Sequence, residues 1–154
     1  MKESTGGALL MGLAAGIIII FIIMVAFFIS YGKTFRIKNE MINYIEQNEG
    51  VEKKNLGDHF VNKGNAYNGK TIEACYNEIR DNNGSLKGFT VKVVVYMEMD
   101  RTILGDEFNV KIPVSGETRI IEKGNYISNP ENMDLNECSS GNLSKILENG
   151  QVQN

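Results

Sequence analysis

Apolar residues are concentrated in one long run near the amino terminus. Residues 7–32 read GALLMGLAAGIIIIFIIMVAFFISYG and contain no charged side chain. As a helix rising about 1.5 Å per residue, the stretch Ala8–Tyr31 would be about 36 Å long, against about 30 Å for the hydrocarbon core of a bilayer. Because backbone groups in lipid must be bonded internally, we predict a transmembrane helix over 7–32, preceded by a short leader at 1–6.

A cleaved secretory signal is the competing interpretation of this run. Signal sequences have an apolar core of about 7–15 residues, followed by a cleavage site with small residues. The run here is longer, and it ends in Phe27, Phe28, Ile29 and Tyr31 without such a site. A retained single-pass anchor is therefore the prediction, with membrane lipid as its first partner.

The charges beside the run bear on its orientation. Lys33, Arg36 and Lys38 follow it, whereas Lys2 and Glu3 precede it and cancel. The positive-inside rule alone would leave the carboxy-terminal part in the cytoplasm, but a long following domain is translocated with little regard to charge. Because two cysteines that could pair also suit an oxidising compartment, we expect this domain outside the cytoplasm.

Three small residues, Ala8, Gly12 and Gly16, recur at four-residue spacing and share one face of the predicted helix. Such faces let two helices approach closely in lipid, so this one predicts packing against other transmembrane helices or self-association. The alternative is that glycine is simply common in membrane helices.

Helical spacing continues beyond the apolar run. No glycine or proline lies between Gly32 and Gly50, so we predict an amphipathic helix over 33–50 that continues from the membrane and stops at Gly50. Its apolar face must pack against the downstream domain. The apolar positions are Phe35, Ile37, Met41, Ile42, Tyr44 and Ile45.

A loop and a second helix are predicted next. Residues 57–69 are polar and rich in glycine and asparagine, as in a loop. Residues 71–80 have apolar positions at helical spacing, so we predict a helix that Thr71 caps and that ends at the Asp-Asn-Asn-Gly sequence of 81–84. The apolar positions are Ile72, Cys75, Tyr76 and Ile79.

Strict alternation predicts the strands. Phe89–Asp100 alternates apolar and polar residues and is rich in valine, which predicts a strand with one buried face. The alternation resumes over 108–114, where Pro113 indicates an edge strand or a bulge. We predict a turn or bulge at Ser115-Gly116 and further extended chain over 118–122.

These elements predict an α+β protein: a transmembrane helix continuing into an amphipathic helix, then a small domain with one helix and a two- or three-stranded antiparallel β-meander. We assign the extracytoplasmic head to residues 51–128. From Lys123 onward the chain is rich in Asn, Ser and Gly, which predicts mostly structureless chain, with a polar tail at 129–154 that frays over 150–154.

Composition narrows the possible functions. The chain has 154 residues, a formal net charge of −3 and a pI near 5.3. This length holds one anchor and a modest domain, which excludes a large multidomain enzyme. The mild acidity argues against a nucleic-acid partner, which would require a basic face.

The two cysteines, Cys75 and Cys138, are candidates for a disulfide that would fasten the tail to the second predicted helix. A loop of that size is worth about 4 kcal/mol in the chain-entropy account. The alternative is a buried free Cys75 and an incidental Cys138. Two cysteines are too few for a zinc site of the usual spacing.

Catalytic and metal-binding patterns are lacking in the sequence. His59 is the single histidine and is predicted to be a surface residue in a polar loop. Glu98 and Asp100 lie on the predicted polar face of a strand, where carboxylates are usually just solvated. Residues 129–137 are rich in oxygen ligands that could hold Ca²⁺, but they do not match an EF-hand loop. We predict a non-enzymatic protein without a metal or cofactor.

Two segments carry a resemblance to a known family. They are GGALLMGLAAGIIIIFIIMVAFFISYGK at the amino terminus and VKVVVYMEMDRTILGDEFNVKIPVSGETRIIEK in the strand region. A membrane helix that runs into an amphipathic helix and then a small β-meander resembles the pilins and pseudopilins, and more narrowly the TadE-like minor pseudopilins of tight-adherence (Flp-type) pilus and secretion systems. The resemblance implies a bacterial assembly component of such an apparatus.

Two other functions remain open at this point. A membrane-tethered binding or sensor module for a peptide, a ligand or cell-wall material would have the same anchor and a head with a pocket. A membrane-bound enzyme is a third class, which the missing catalytic pattern disfavours.

Overall fold

The computed structural model describes residues 2–62, 71–98, 111–122, 133–138, 141, 143–148 and 151–152. They form two helices followed by one sheet, which is the α+β order expected from the sequence. The helices are α1 (Lys2–Gln47) and α2 (Lys53–Asn62), and the strands are β1 (Ile72–Arg80), β2 (Leu86–Glu98), β3 (Lys111–Glu117), β4 (Ile121–Glu122), β5 (Asn136–Glu137), β6 (Ser144–Glu148) and β7 (Gln151–Val152).

Helix α1 is one uninterrupted helix of 46 residues. At about 1.5 Å per residue it is about 69 Å long. It ends at Gln47, shortly before the predicted stop at Gly50. Glu49 (φ 51°) and Gly50 (φ 102°) both have positive φ, and Gly50 donates its backbone N–H to Ile45 O at 2.9 Å. A left-handed residue after a helix, here Glu49, lets the following N–H bond one of the last carbonyl groups.

The two halves of α1 have opposite surroundings. In the first half the large apolar side chains are exposed, from Leu9 at 70% to Phe28 at 60%. In the second half one face is buried against the sheet, which confirms the predicted amphipathic continuation. The buried side chains are Thr34, Ile37, Lys38, Met41 and Ile45.

The sheet is centred on β1 and β2. The strand order is β3-β2-β1-β6-β7. Strands β1 and β2 are antiparallel from Ile72 opposite Val95 to Arg80 opposite Leu86. Strand β3 pairs with residues 92–98 of β2, and β4 pairs with residues 88–89 of the same strand. Strand β6 pairs with residues 72–74 of β1, and β5 pairs in parallel with residues 75–76. Pro113 lies in β3, an outer strand of the described sheet, as predicted for an edge.

The core lies between this sheet and the second half of α1. The alternating set predicted for the buried face of β2 is buried up to Met97, but Thr90 and Val94 of the opposite face are buried as well, so the strand does not have one buried face only. Residues 99–110 lie outside the described residues. Helix α2 packs against strands β6 and β7 and contributes Leu56 and Phe60 to the core. The alternating β2 side chains Phe89, Val91, Val93, Val95 and Met97 are fully buried. The first four share one core cluster with Met41, Ile45, Leu56, Phe60, Ile72 and Leu147 among others.

The helix predicted over 71–80 is wrong, because this segment is strand β1. Ile72 and Ala74 pair with Val95 and Val93 and share their buried face. Cys75 points to the opposite face, yet it is only 1% exposed because it is disulfide-bonded. Burial on both faces of one strand produced apolar spacing that imitates a helix.

The loop predicted over 57–69 is also wrong in its first part, because α2 runs through Gly57 to Asn62. Residues 63–70 lie outside the described residues. Gly57 is in close contact with β7, since a Cβ at this position would lie only 2.8 Å from Val152 Cγ1. The absent side chain lets α2 approach β7 closely.

The structureless tail is wrong for the described residues beyond 132, because β5, β6 and β7 belong to the sheet. The sheet therefore has seven strands in the described residues instead of the two or three expected. The turn or bulge predicted at Ser115-Gly116 is wrong as well, since β3 pairs with β2 through both residues. The break comes at 118–120, before β4.

Candidate functional site

One helix in the described residues is long and apolar enough to cross a membrane. Its most apolar window has a mean hydropathy of 3.0, and none of that window is buried within the chain. A signal sequence near an amino terminus shares these properties. The exposed surface of this helix, and its junction with the sheet, are the features of the molecule that point to a function.

The small residues Ala8, Gly12 and Gly16 lie on the surface of this helix. Ala8 and Gly12 are exposed and Gly16 is half-exposed. No atom lies within 4 Å of the position that a Cβ would take at Gly12 or Gly16. The face is therefore open among the described residues, as a helix-packing face for another molecule requires.

Aromatic rings are stacked where the exposed half of α1 ends. Phe27 stacks on Tyr31 with centroids 6.4 Å apart, and Tyr31 stacks on Phe35 at 6.3 Å. The three residues are spaced by four, which places their side chains above one another on the helix. Aromatic side chains are enriched at the boundary between hydrocarbon and headgroups. The four-residue spacing of these aromatic residues is visible in the sequence, but we did not predict that Phe27, Tyr31 and Phe35 form a stack, here called the aromatic ladder.

Basic side chains follow directly after Tyr31. Lys33 and Arg36 are exposed, whereas Lys38 is only 8% exposed. The ammonium group of Lys38 lies 4.1 Å from the centroid of the Phe35 ring. The alkyl part of Lys38 packs against β3, because a Cβ at Gly116 would lie 2.8 Å from Lys38 Cδ. Lys38 is therefore both a packing residue and a charge at the junction.

The far end of α1 is fastened to the head by two sets of contacts. The Glu46 carboxylate accepts the backbone N–H of Arg119 at 2.7 Å and lies 3.2 Å from its guanidinium Nε. Tyr44 stacks on His59 of α2 with centroids 3.9 Å apart, and Phe60 packs edge-on against both. His59 is thus a half-buried helix residue instead of a surface residue in a loop.

The predicted disulfide between Cys75 and Cys138 is present. It joins the middle of β1 to the residue that follows β5, across 63 residues of sequence. The parallel pairing beside it covers only Cys75 with Asn136 and Tyr76 with Glu137. The disulfide adds a covalent attachment to the hydrogen bond from the Asn136 backbone N–H to Ser144 Oγ and to the burial of Met133 and Leu135 just before the strand.

Polar side chains form short networks on the sheet face opposite α1. The Glu117 carboxylate accepts hydrogen bonds from Thr90 Oγ1 and Asn77 Nδ2 across three strands. The Tyr96 hydroxyl donates to Glu73 at 2.8 Å, and this bond, followed by partial burial and the negative charge of Glu73, raises the pKa of Tyr96. These bonds connect neighbouring strands and bring no nucleophile and base together.

No group of three metal-ligating side chains occurs among the described residues. Residues 129–132 of the oxygen-rich segment lie outside them, as does Asp100. The relative position of the Glu98 and Asp100 carboxylates therefore lies outside the described part of the structure.

The fold and the junction together define a class. A long apolar amino-terminal helix continues into the core of an antiparallel sheet domain, which is a pilin-like layout consistent with a single-pass anchored protein. Comparisons with protein-family models, curated proteins and solved structures gave no match.

Proposed function

We propose that this chain is a non-enzymatic, single-pass membrane protein that acts as a minor pseudopilin or assembly component of a bacterial pilus or secretion apparatus. Its head lies outside the cytoplasm, and its partners are other transmembrane helices of that assembly. The observation that carries the proposal is the division of α1 into an exposed apolar half and a half buried in the head.

A helix of this kind places the head directly above a helix-packing surface. The first residue of α1 buried against the head is Thr34, only three positions after Tyr31. Neighbouring subunits that pack through their anchors would therefore hold their heads side by side. The open face of Ala8, Gly12 and Gly16 supports such packing, because no described part of the chain covers it.

The disulfide supports a head outside the cytoplasm. Disulfides persist in oxidising compartments and are rare in the cytosol of mesophiles. Both cysteines of the chain are bonded, so no free thiol remains.

This saturation of the native cysteines allows a direct test of anchor packing. A Gly12→Cys variant carries a single free thiol on the small-residue face, and Leu10→Cys is the matched control on the opposite face of the helix. In native membranes under mild oxidation, we expect disulfide-linked dimers or cross-links to a partner from Gly12→Cys and little product from Leu10→Cys. Equal cross-linking from both positions, or none from either, would contradict the proposed packing face.

Topology and assembly need separate measurements. An Asn83→Cys variant places a thiol in the exposed turn between β1 and β2, where a membrane-impermeant maleimide should label it in intact cells. Protection until lysis would reject an extracytoplasmic head. Cofractionation of the chain with a pilus or secretion complex is expected, and a stable monomer without partners would reject the assembly role.

A further inference from the structure

We propose that Lys33, Arg36 and the ammonium group of Lys38, here called the basic collar, bind the phosphate groups of anionic phospholipids at the membrane surface. The inference rests on the membrane anchor of the proposed function and does not depend on the pilus or secretion role.

The collar lies at the depth of the lipid headgroups. Lys33 and Arg36 follow Tyr31 by two and five residues, which is about 3 Å and about 7.5 Å along the helix axis. The headgroup region adds about 5–7 Å on each side of the hydrocarbon core. With the ring of Tyr31 at the hydrocarbon boundary, both cations fall within or at the edge of the phosphate layer.

Two of these cations are exposed on the surface of α1. Thr34 and Ile37 of the same turns are buried against the sheet, whereas Lys33 and Arg36 are exposed. Residues three apart are neighbours on a helix surface, so the two cations present one combined charge. Among the residues that the structure describes, neither forms an ion pair with a carboxylate.

Lys38 adds a third cation from within the packed surface. Helical side chains lean towards the amino terminus, and the Lys38 ammonium extends back over the Phe35 ring, one turn closer to the membrane. Its alkyl stem is buried against β3 while its charge stays at the junction, as in lysines that snorkel.

The charge pattern suits an anionic surface. No acidic residue lies between Glu3 and Glu40, so the collar has no neighbouring carboxylate in sequence on its membrane side. Guanidinium groups bind phosphate through paired hydrogen bonds, and ammonium groups bind it as point charges. The positive-inside rule does not account for basic residues on the outer side of the membrane. Binding of anionic lipid would give the three cations after the span a function there.

The test compares lipids at the surface of the full-length protein in vesicles. The chain is reconstituted in phosphatidylcholine containing trace spin-labelled phosphatidylglycerol or phosphatidylcholine, and electron paramagnetic resonance gives the relative association of the two labels. We expect at least a fivefold preference for phosphatidylglycerol, since each basic residue near an anionic surface contributes about a factor of five. The preference should weaken in high salt.

Two double variants separate the collar from general charge. Lys33→Gln with Arg36→Gln should lower the preference severalfold, leaving only the contribution of Lys38. Lys53→Gln with Lys54→Gln removes the same charge from the start of α2. Helix α2 packs through His59 against Tyr44, which lies about 20 Å along α1 from Tyr31 and therefore away from the membrane surface. This control should retain the preference.

Three results would overturn the inference. They are equal association of both lipids with the native chain, an unchanged preference in the collar variant, and loss of the preference in both variants. Alkaline carbonate extraction distinguishes these failures from failure of the anchor itself: a chain that carbonate releases from the vesicles is not a transmembrane protein, whereas a retained chain without lipid preference has an anchor but no lipid-binding collar.

Discussion

Two glycines of the head are required by close contacts, but the contacts differ in kind. A Cβ at Gly88 would lie 2.5 Å from the backbone oxygen of Ile121, which β4 pairing holds in place. A Cβ at Gly116 would instead meet the ends of two flexible side chains, Ile42 and Lys38, at 2.7 and 2.8 Å. Gly88 is therefore the position where a side chain would be least tolerated.

We expect Gly88→Ala to lower the free energy of unfolding by about 1–3 kcal/mol, because the new methyl group forces β4 away from β2. Urea unfolding followed by tyrosine fluorescence measures this, since the chain has tyrosines and no tryptophan. Gly32→Ala is the matched control: it lies in α1 with no atom within 4 Å of a Cβ, so the head should unfold at the native urea concentration. A Gly88→Ala protein as stable as the native one would contradict this account.

The hydrogen bond from Tyr96 to Glu73 makes stability depend on pH. The bond raises the pKa of Tyr96, so the folded chain holds this proton more tightly than the unfolded chain does. Its contribution is therefore complete below the unfolded pKa of about 10 and is lost as the pH rises through the higher pKa of the folded state.

Tyr96→Phe should accordingly lower the melting temperature at pH 8, and the difference from the native protein should shrink as the pH exceeds about 10. Thermal unfolding by circular dichroism over this range measures it. Tyr31→Phe, which removes a hydroxyl outside the sheet, should follow the native curve throughout. A constant difference between native and Tyr96→Phe at every pH would show that the bond does not control this dependence.

At the level of elements, α1 and β2 follow directly from the sequence. The long apolar run of α1 and the alternation of Phe89, Val91, Val93, Val95 and Met97 in β2 are local patterns, so they indicate a helix and a strand without knowledge of any partner. The stop before Gly50 is equally local, because it depends on the conformations of two consecutive residues, Glu49 and Gly50.

Strand β1 and the carboxy-terminal strands depend on partners far along the chain. The side chain of Cys75 is buried through a bond to Cys138, so its spacing gave no sign of a strand. Strands β5 and β7 have two residues each, too few for any periodic pattern. The aromatic ladder and the basic collar are visible in the sequence as residue types, but their meaning required knowing where the head begins on α1.

The disulfide attaches the segment that contains β5 covalently to β1. Removing it with Cys75→Ala and Cys138→Ala together is expected to lower the free energy of unfolding by about 4 kcal/mol, since it closes a loop spanning 63 residues of sequence. Chemical denaturation with and without reductant measures this. The reductant should shift the native protein towards the double variant and leave the double variant unchanged; equal stability of both proteins without reductant would contradict the expectation.

For the whole molecule, the boundary between anchor and head lies inside a helix. The core of the head includes Met41 and Ile45, so the second half of α1 is part of the folded domain. A fragment of residues 33–154 should therefore be soluble, folded and disulfide-bonded, as gel filtration and circular dichroism would show. Aggregation of this fragment would indicate that the head also requires the first half of α1.

A fragment of residues 48–154 is the matched comparison. It retains every strand but removes the helix that covers Val91 and Val93. We expect it to aggregate or to lack a cooperative melting transition, because the apolar face of the sheet would be exposed to water. Cooperative unfolding like that of 33–154 would show that the sheet does not depend on α1.

The unbroken course of α1 also has a mechanical consequence. No glycine or proline interrupts the helix between Gly32 and its end at Gln47, so there is no hinge between the exposed half and the sheet. A rotation, tilt or axial displacement of α1 beyond Gly32 is therefore transmitted to the sheet through continuous helix, without a hinge residue to absorb it. A force along the helix axis would act as shear between α1 and the sheet. The buried side chains from Thr34 to Ile45 would then resist it simultaneously instead of separating one after another.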